Sequence, residues 1–384
     1  MKILTVYYKH KPGGFCKRFR MSIEAWLERG WQVHYIAAEP YPYSHPNLFP
    51  HILPNPARRH DTLWFWAWFF LACPWYALFT AIKYRPALIA APSPVYACIC
   101  APARWIPRKP MLTFIFSKPR FNTDCREEYR FLEKVERSLE KRGLGASSRV
   151  LANSQAGRSA WATEYGPSAE RIEVFPNNVD DPPFDKQAQR EKLRSQFSLG
   201  PERFVIACSG IMEPHKNMDL LLEAFAKVKD PRASLMLIGD GTQIDFLKRR
   251  ARELGVADRT IFTGWRRDAV ELVQGADLYV FPSLREGMSD ALLEALTCRI
   301  PCLVSSIPEN REVARNPEQH FPPKDSQGLA EKITRCMEDR DFYDRLLRAT
   351  LEDKARFVFD WKARLVAVAE ETMKLRTEKF PSRP

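Results

Sequence analysis

Hydrophobic and polar positions along this chain follow two periods in turn. Short continuous apolar runs read as buried strands: KILTVYY near the start, Ala87 to Ala91, MLTFIF from Met111, and Ala276 to Val280. Between them lie stretches with apolar residues three and four positions apart, as in RMSIEAWLERG and ALLEAL. These read as helices with one buried face. The alternation runs through both halves and predicts two doubly wound α/β domains. Pro176, Pro182 and Pro183, the acidic pair Asp180-Asp181 and the polar helix DKQAQREKLRSQF mark the boundary. We read 1–180 as the first domain, 181–200 as a linker, 201–358 as the second domain and about 359–380 as a final helix.

Chemistry concentrates at one strand-to-helix junction, Phe281 to Glu294, FPSLREGMSDALLE. Pro282, Ser283 and Gly287 end the strand pattern before helical spacing resumes at Ala291. Gly287, Met288 and Ser289 therefore sit where backbone N–H groups and the positive end of a helix dipole face outward, a natural seat for phosphate. Glu286 and Glu294 flank this turn. A glycosidase needs its two carboxyl groups roughly 5–9.5 Å apart across one bond. Eight residues of helix would rise about 12 Å, so these two acids suit separate hydroxyl-bearing parts of one extended ligand. An isolated pair at this spacing is ordinarily two exposed acids on an amphipathic helix; the glycine turn is what adds a functional reading.

Charge and cysteines narrow the setting. Residues 1–120 carry 16 basic and 4 acidic side chains, which equals the whole chain's net charge of +12 and leaves the remainder near neutral. A basic first domain implies an anionic surface or acceptor. No nucleic-acid-binding motif accompanies the basic residues, so nucleic acid is not expected. Nine cysteines without CxxC spacing, in a chain showing no secretion signal, suit a reduced cytoplasmic setting and no metal site. Asp339-Arg340-Asp341 has the form of a metal-binding DxD triplet, but its highly charged helical context reads as a solvated face.

The segment from Thr62 to Ile82 has no charge and nine aromatics, with Arg58-Arg59-His60 before it and Lys83 after it. Its length allows a membrane span, although Pro74 disfavours one straight helix. Dense aromatics with cationic flanks suit a bilayer interface. A buried or partly buried helix of the first domain, peripheral membrane contact and a true span all remain open from the sequence.

From Phe204 to Val313 the chain resembles the C-terminal domain of the retaining glycosyltransferases of family four. The pieces that carry the likeness are FVIACSGIMEPHKNMDLLLEAF, SLMLIGDGTQIDFLKRRARELGV and IFTGWRRDAVELVQGADLYVFPSLREGMSDALLEAL, continuing to Val313. The first half matches more loosely, through KILTVYY, the KPGG loop, RVLANSQAGRSAWATEYG and VFPNNVD; residues 41–149 match poorly. The resemblance implies the GT-B fold: two Rossmann-like domains facing a central cleft, with the C-terminal helix crossing back to the first domain through Phe359 and Trp361.

By the same resemblance Glu286 would bind the transferred sugar and Glu294 the ribose. The backbone of Gly287, Met288 and Ser289 would hold the diphosphate of a nucleotide sugar, and Lys216 would be the cation on it. Gly210 would let its loop approach the donor, Trp265 and Arg266 would lie by the base, and Gly13 and Gly14 would face the phosphates from the first domain. The implied activity is metal-independent retaining transfer, with no cofactor, from a UDP-sugar by default or a GDP-sugar. Domain closure would bring an acceptor hydroxyl to the sugar. The acceptor falls to residues 41–149, where the resemblance fails; the basic charge and the aromatic segment alone point to a glycan or lipid-linked molecule of the cell envelope, handled by a peripheral protein on the cytoplasmic face of the membrane. This chain departs from the family pattern in three places. Ile211 stands where an arginine is usual, with Arg266 or Arg18 as possible substitutes; Phe116-Ser117-Lys118 stands near the usual histidine; and Asn177-Asn178 replaces Asn-Gly. Two other readings stay open: a sugar synthase or phosphorylase on the same fold, and a catalytically impaired homologue acting as a membrane-associated assembly partner.

Overall fold

The computed structural model describes residues 1–10, 13–56, 60, 62–117, 130–169 and 171–375. Lys11, Pro12, Arg58, Arg59, Lys118 and Cys125, which enter the sequence reading, lie outside them. The chain divides into two compact units, Met1–Pro176 with Asp360–Pro384, and Asn177–Phe359.

The first unit runs β1 (Lys2–Val6), α1 (Gly14–Glu28), β2 (Gln32–Ala37), β3 (Leu48–Ile52), α2 (Leu63–Tyr84), β4 (Leu88–Ala91), α3 (Pro94–Ile99), α4 (Ala101–Trp105), β5 (Met111–Ile115), α5 (Arg130–Ala146), β6 (Arg149–Ala152), α6 (Gln155–Tyr165) and β7 (Ile172–Val174). Its parallel sheet has the order β3-β2-β1-β4-β5-β6-β7, so the direction of winding reverses between β1 and β4. Central strands β4 and β5 are buried at every position, as expected of parallel strands covered on both faces. Edge strand β3 is mostly exposed and carries Pro50, which an edge tolerates because one side needs no ladder bond.

The second unit begins with α7 (Lys186–Gln196) and continues β8 (Phe204–Ser209), α8 (Met218–Lys227), β9 (Ala233–Ile238), α9 (Ile244–Glu253), β10 (Thr260–Phe262), α10 (Ala269–Gly275), β11 (Leu278–Phe281), α11 (Asp290–Thr297), β12 (Cys302–Ser305), α12 (Pro308–Val313), β13 (His320–Phe321), α13 (Ser326–Glu338) and α14 (Arg340–Ala355). Its parallel order is β10-β9-β8-β11-β12-β13, reversing between β8 and β11. Alternate strand residues feed the two faces. Ile206 and Cys208 join Leu221 and Phe225 of α8, while Val205 and Ala207 join Leu292 and Leu296 of α11.

Two features differ from the sequence expectation. Residues 181–200 include α7, which is part of the second unit and not a tether. Its Arg194 reaches the buried Asp277 at 2.9 Å, and the same carboxylate accepts from Val205 N at 2.8 Å, so the helix is keyed to the root of β8 and β11. Helix α2 runs unbroken through Pro74. Its buried stripe of Phe65, Phe69, Cys73 and Ala77 spans both sides of the proline, and this packing outweighs the missing backbone donor. Among the readings left open for it, α2 is a partly buried helix of the first unit, with 33% of its most apolar window buried.

The final helix α15 (Trp361–Lys374) belongs to the first unit. There Trp361 packs edge-on to Phe175 at 5.4 Å and Lys362 reaches Glu28 at 2.5 Å. Inside the second unit the outgoing and returning strands of chain are tied together. Val179 N donates to Phe357 O at 2.9 Å, and Asn178 Nδ2 donates to Phe359 O at 3.1 Å. The Asp339-Arg340-Asp341 triplet is structural at its first member: Asp339 caps α14 by accepting from Phe342 N at 2.9 Å and pairs with Arg335.

Candidate functional site

In an open parallel sheet, ligand sites form beyond the carboxyl ends of the strands where the winding reverses. In the second unit that position lies between β8 and β11, and the loops leaving these two strands carry Lys216 and Glu286. Lys216 Nζ contacts Glu286 Oε1 at 2.6 Å, with side-chain exposures of only 12% and 9%. The ammonium also sits 5.3 Å from the Phe281 ring centroid. Two residues 70 positions apart in sequence are thus joined in a partly buried pair, where loss of either partner would strand the other charge.

The loops are held by backbone and asparagine contacts. Leu284 N donates to His215 O at 2.8 Å, stitching the β11 loop to the β8 loop. Asn217 takes the left-handed conformation at φ 56°, one that asparagine tolerates. Its Nδ2 donates to Pro282 O at 3.1 Å and Pro323 O at 3.0 Å. Ser305 Oγ donates to Ser283 O, and Asn310 Nδ2 supports Ser305 Oγ at 2.9 Å.

The Gly287-Met288-Ser289 turn is anchored from two sides. Met288 is buried at 5% exposure in the apolar layer with Tyr279 and Leu292. Its carbonyl accepts from Asn177 Nδ2 at 3.1 Å, and Asn177, 2% exposed, also lies 3.4 Å from Asp290 Oδ1. Ser289 is the N-cap of α11 but makes no side-chain capping bond, so that side chain does not compete for the first-turn amides. Glu286 lies in this loop and only Asp290–Thr297 is helical, which corrects the assumption of continuous helix from Glu286 to Glu294. Glu294 is one turn inside α11.

Three glycine turns complete the strand ends. Gly210 follows β8 at φ 145° and Gly239 follows β9 at φ 139°. A Cβ on Gly239 would come within 2.0 Å of Gly210 O, and one on Gly241 within 2.6 Å of Met212 O, so the loops meet backbone to backbone. Gly239 N in turn donates to Gly264 O at 3.0 Å. Trp265 follows directly and is 65% exposed, a surface ring and not a core residue. Arg266 is held by Asp268 through bonds of 2.8 and 2.7 Å.

Lys216, Glu286 and the 287–289 turn therefore come together, with Gly210 beside Lys216. Gly13 and Gly14 lie on the first unit, at the turn from β1 into α1, which is that sheet's own reversal point. Gly13 has φ 134° and open space where a Cβ would stand. Of the two proposed substitutes for the arginine missing at Ile211, Arg18 is buried with its guanidinium 5.8 Å from the Trp361 ring centroid, and Arg266 pairs with Asp268. Ile211 itself is 54% exposed. Where the resemblance places a histidine, Phe116 stacks on Phe114 at 5.6 Å and meets Phe15 edge-on at 5.5 Å. Sequence reading missed Asn177 and Asn217 as loop supports. Single asparagines beside proline or lysine carry no pattern, and only the carbonyls they reach reveal them. It also passed over Arg285, an exposed cation next to Glu286.

Comparison with known proteins gives a consistent result. The sequence family described as Glycosyltransferase Family 4 matches residues 13–181, and the family described as Glycosyl transferases group 1 matches 189–353. An Escherichia coli UDP-Gal:alpha-D-GlcNAc-diphosphoundecaprenol alpha-1,3-galactosyltransferase is 32% identical over 153 residues, 38% of this chain and 39% of that protein. A Mycolicibacterium smegmatis GDP-mannose-dependent alpha-(1-6)-phosphatidylinositol monomannoside mannosyltransferase is 32% identical over 157 residues, 38% of this chain and 40% of that protein. The matched part is thus about two fifths of each of these relatives. Among solved structures, Anabaena Alr3699/HepE in complex with UDP superposes with TM-score 0.77 at 22% identity, covering 98% of this chain and 100% of that one. Sucrose-phosphate synthase from Thermosynechococcus elongatus gives 0.79 at 19% identity, covering 98% and 99%. At these identities the structural likeness speaks for the fold.

Proposed function

Because this chain belongs to the family 4 glycosyltransferases and has their GT-B fold, we propose that it transfers a hexose from a nucleoside diphosphate sugar to a hydroxyl of a glycan or lipid-linked acceptor in envelope biosynthesis, with retention at the anomeric carbon. The observation that carries this reading is the Lys216–Glu286 pair beside the 287–289 turn, on the two loops that leave the reversal point. Each partner has a counterpart in the donor. The ammonium exchanges its carboxylate for the diphosphate, and the freed carboxylate accepts from sugar hydroxyls. Without donor, the pair keeps two partly buried charges mutually satisfied.

The chemistry follows from that exchange. The bond from the anomeric carbon to the phosphate oxygen breaks, and its electrons go to the leaving diphosphate. Lys216 and the turn amides stabilise the growing negative charge in a site where they are already oriented. The acceptor hydroxyl forms the new bond on the face the phosphate leaves and gives its proton to the departing phosphate oxygen. This route assigns no step to a metal or a cofactor. Glu294 binds the ribose, and the exposed Trp265 ring offers a face for the base. UDP is the donor we favour and GDP the alternative, the nucleotides carried in the names of the two curated relatives.

The test is a thermal-shift panel of nucleotide sugars followed by turnover. A ligand held only by the folded state raises the melting temperature. UDP-hexose is expected to do so for the wild type, and Glu286→Ala should abolish transfer while the protein stays folded. Near-normal turnover of that variant would overturn the assignment. The second reading, a donor-impaired homologue, is favoured by the exposed Ile211 and by the aromatic packing at Phe116; it predicts no shift with any nucleotide sugar.

A further inference from the structure

Helix α2 presents two opposite faces. Phe65, Phe69, Cys73, Ala77 and Ala81 form a fully buried stripe, with Phe65 against Tyr8 at 5.8 Å and Phe69 against Tyr96 at 6.4 Å. The other face is as apolar as the first. Trp64 is 83% exposed, Leu71 72%, Trp75 66% and Phe79 60%. The neighbouring α4 end adds Trp105 at 57% and Ile106 at 62%. Soluble surfaces rarely gather so many large apolar side chains in one place, because leaving them in water is unfavourable.

Charge identifies what covers this face. No acidic residue occurs from Thr62 to Thr123. The apolar face instead has an exposed cationic rim of Lys83, Arg85 and Arg108, and Lys83 Nζ sits 5.9 Å from the Phe79 ring centroid. A second copy of the chain meeting this surface symmetrically would set the two rims against each other. An anionic bilayer complements both parts: headgroup phosphates take the rim, and the indoles sit at the interface. The buried stripe fixes α2 to the sheet, so the helix lies in the membrane plane and does not cross it.

We infer that the exposed face of α2, with Trp105 and Ile106 beside α4, is an in-plane docking surface for an anionic lipid bilayer. This goes beyond the donor reading and does not rest on it.

The test is co-sedimentation of the whole protein with vesicles of phosphatidylcholine alone or with phosphatidylglycerol added, at low and high salt. Binding is expected to the anionic vesicles and to weaken with salt. Leu71→Glu with Trp75→Glu changes only exposed positions and should lower partitioning by about tenfold or more. Lys83→Glu with Arg85→Glu should lower it by about fivefold per cation removed. Melting temperature and the nucleotide-sugar thermal shift should be unchanged in both variants, which separates failure here from failure of the donor site. Absence of wild-type binding to anionic vesicles at low salt would overturn the inference. So would unchanged partitioning of Leu71→Glu with Trp75→Glu, or a solution dimer that this variant dissolves.

Discussion

The two units are built on the same winding plan and use their strand ends differently. In the second unit the reversal point gathers a charged pair, an amide-rich turn and glycine loops in backbone contact. In the first unit the same topological position carries Gly13, Gly14 and a cluster of Tyr7, Phe15 and Phe116, while its most distinctive surface is the apolar face of α2 on the outside. One copy of the plan thus gathers paired charges and backbone amides at its strand ends, the other aromatic surface. A shared fold sets where a site can form, and the loop residues decide what chemistry occupies it.

The largest effect that sharpens this contrast is at Glu286. Glu286→Gln should lower transfer on the order of a thousandfold, measured by nucleotide release with membrane extract as acceptor source. Leu71→Glu with Trp75→Glu should leave donor affinity within a factor of about two, since separate sites act additively. If the first-unit substitutions damaged donor affinity as much as Glu286→Gln, the division of labour would fail.

The turn glycines give the next contrast. Gly239→Ala places a methyl against Gly210 O in addition to the unfavourable φ, and should cost about 3 kcal/mol in urea unfolding. Gly13→Ala meets open space and bears only the backbone term, about 1 kcal/mol. Equal costs would show that the loops of the second unit yield more than their contacts imply.

Acid should act on the first unit through His34. Burial, helped by the neighbouring His51 and Lys2, lowers its pKa from 6.5 to about 4. Between those values the unfolded chain takes a proton that the folded chain refuses, so stability falls as pH drops through 6.5 and levels off below about 4. The full loss is roughly 3 kcal/mol, less if the fold relaxes to admit water. His34→Phe keeps an aromatic ring between Phe49 and Tyr84 and should remove much of this slope in urea midpoints compared at pH 7 and pH 5. An unchanged slope would place the acid sensitivity elsewhere.

A further contrast is at Asn177, which ties the entry of the second unit to the 287–289 turn. Asn177→Ala removes the bond to Met288 O and should weaken donor binding by about tenfold, at about 1 kcal/mol of stability. Calorimetric titration checks this, and unchanged affinity would mean that the buried Met288 side chain alone sets the turn.

Much of this organisation was legible in the sequence because it is local. Strand runs, helix spacing and glycine turns follow from period and from residues that few others can replace, so both sheets and the turn at Gly287 could be placed beforehand. The contacts that define the site are not local. Nothing in the spacing of Lys216 and Glu286 shows that they meet, and Arg194 turns an apparent linker into part of a domain only through Asp277. The length of α2 defeated the local rule for Pro74, since propensity weighs one residue whereas packing weighs a whole stripe. Its exposed face was likewise hidden, because buried and exposed aromatics look alike in a sequence.

The most direct test is a crystal structure with an intact UDP-hexose bound. The account predicts diphosphate oxygens within hydrogen-bond reach of the Gly287, Met288 and Ser289 amides, with Lys216 Nζ moved from Glu286 onto the phosphate and Glu286 on the sugar. A bound donor that leaves the Lys216–Glu286 contact intact at 2.6 Å and the turn vacant would contradict it.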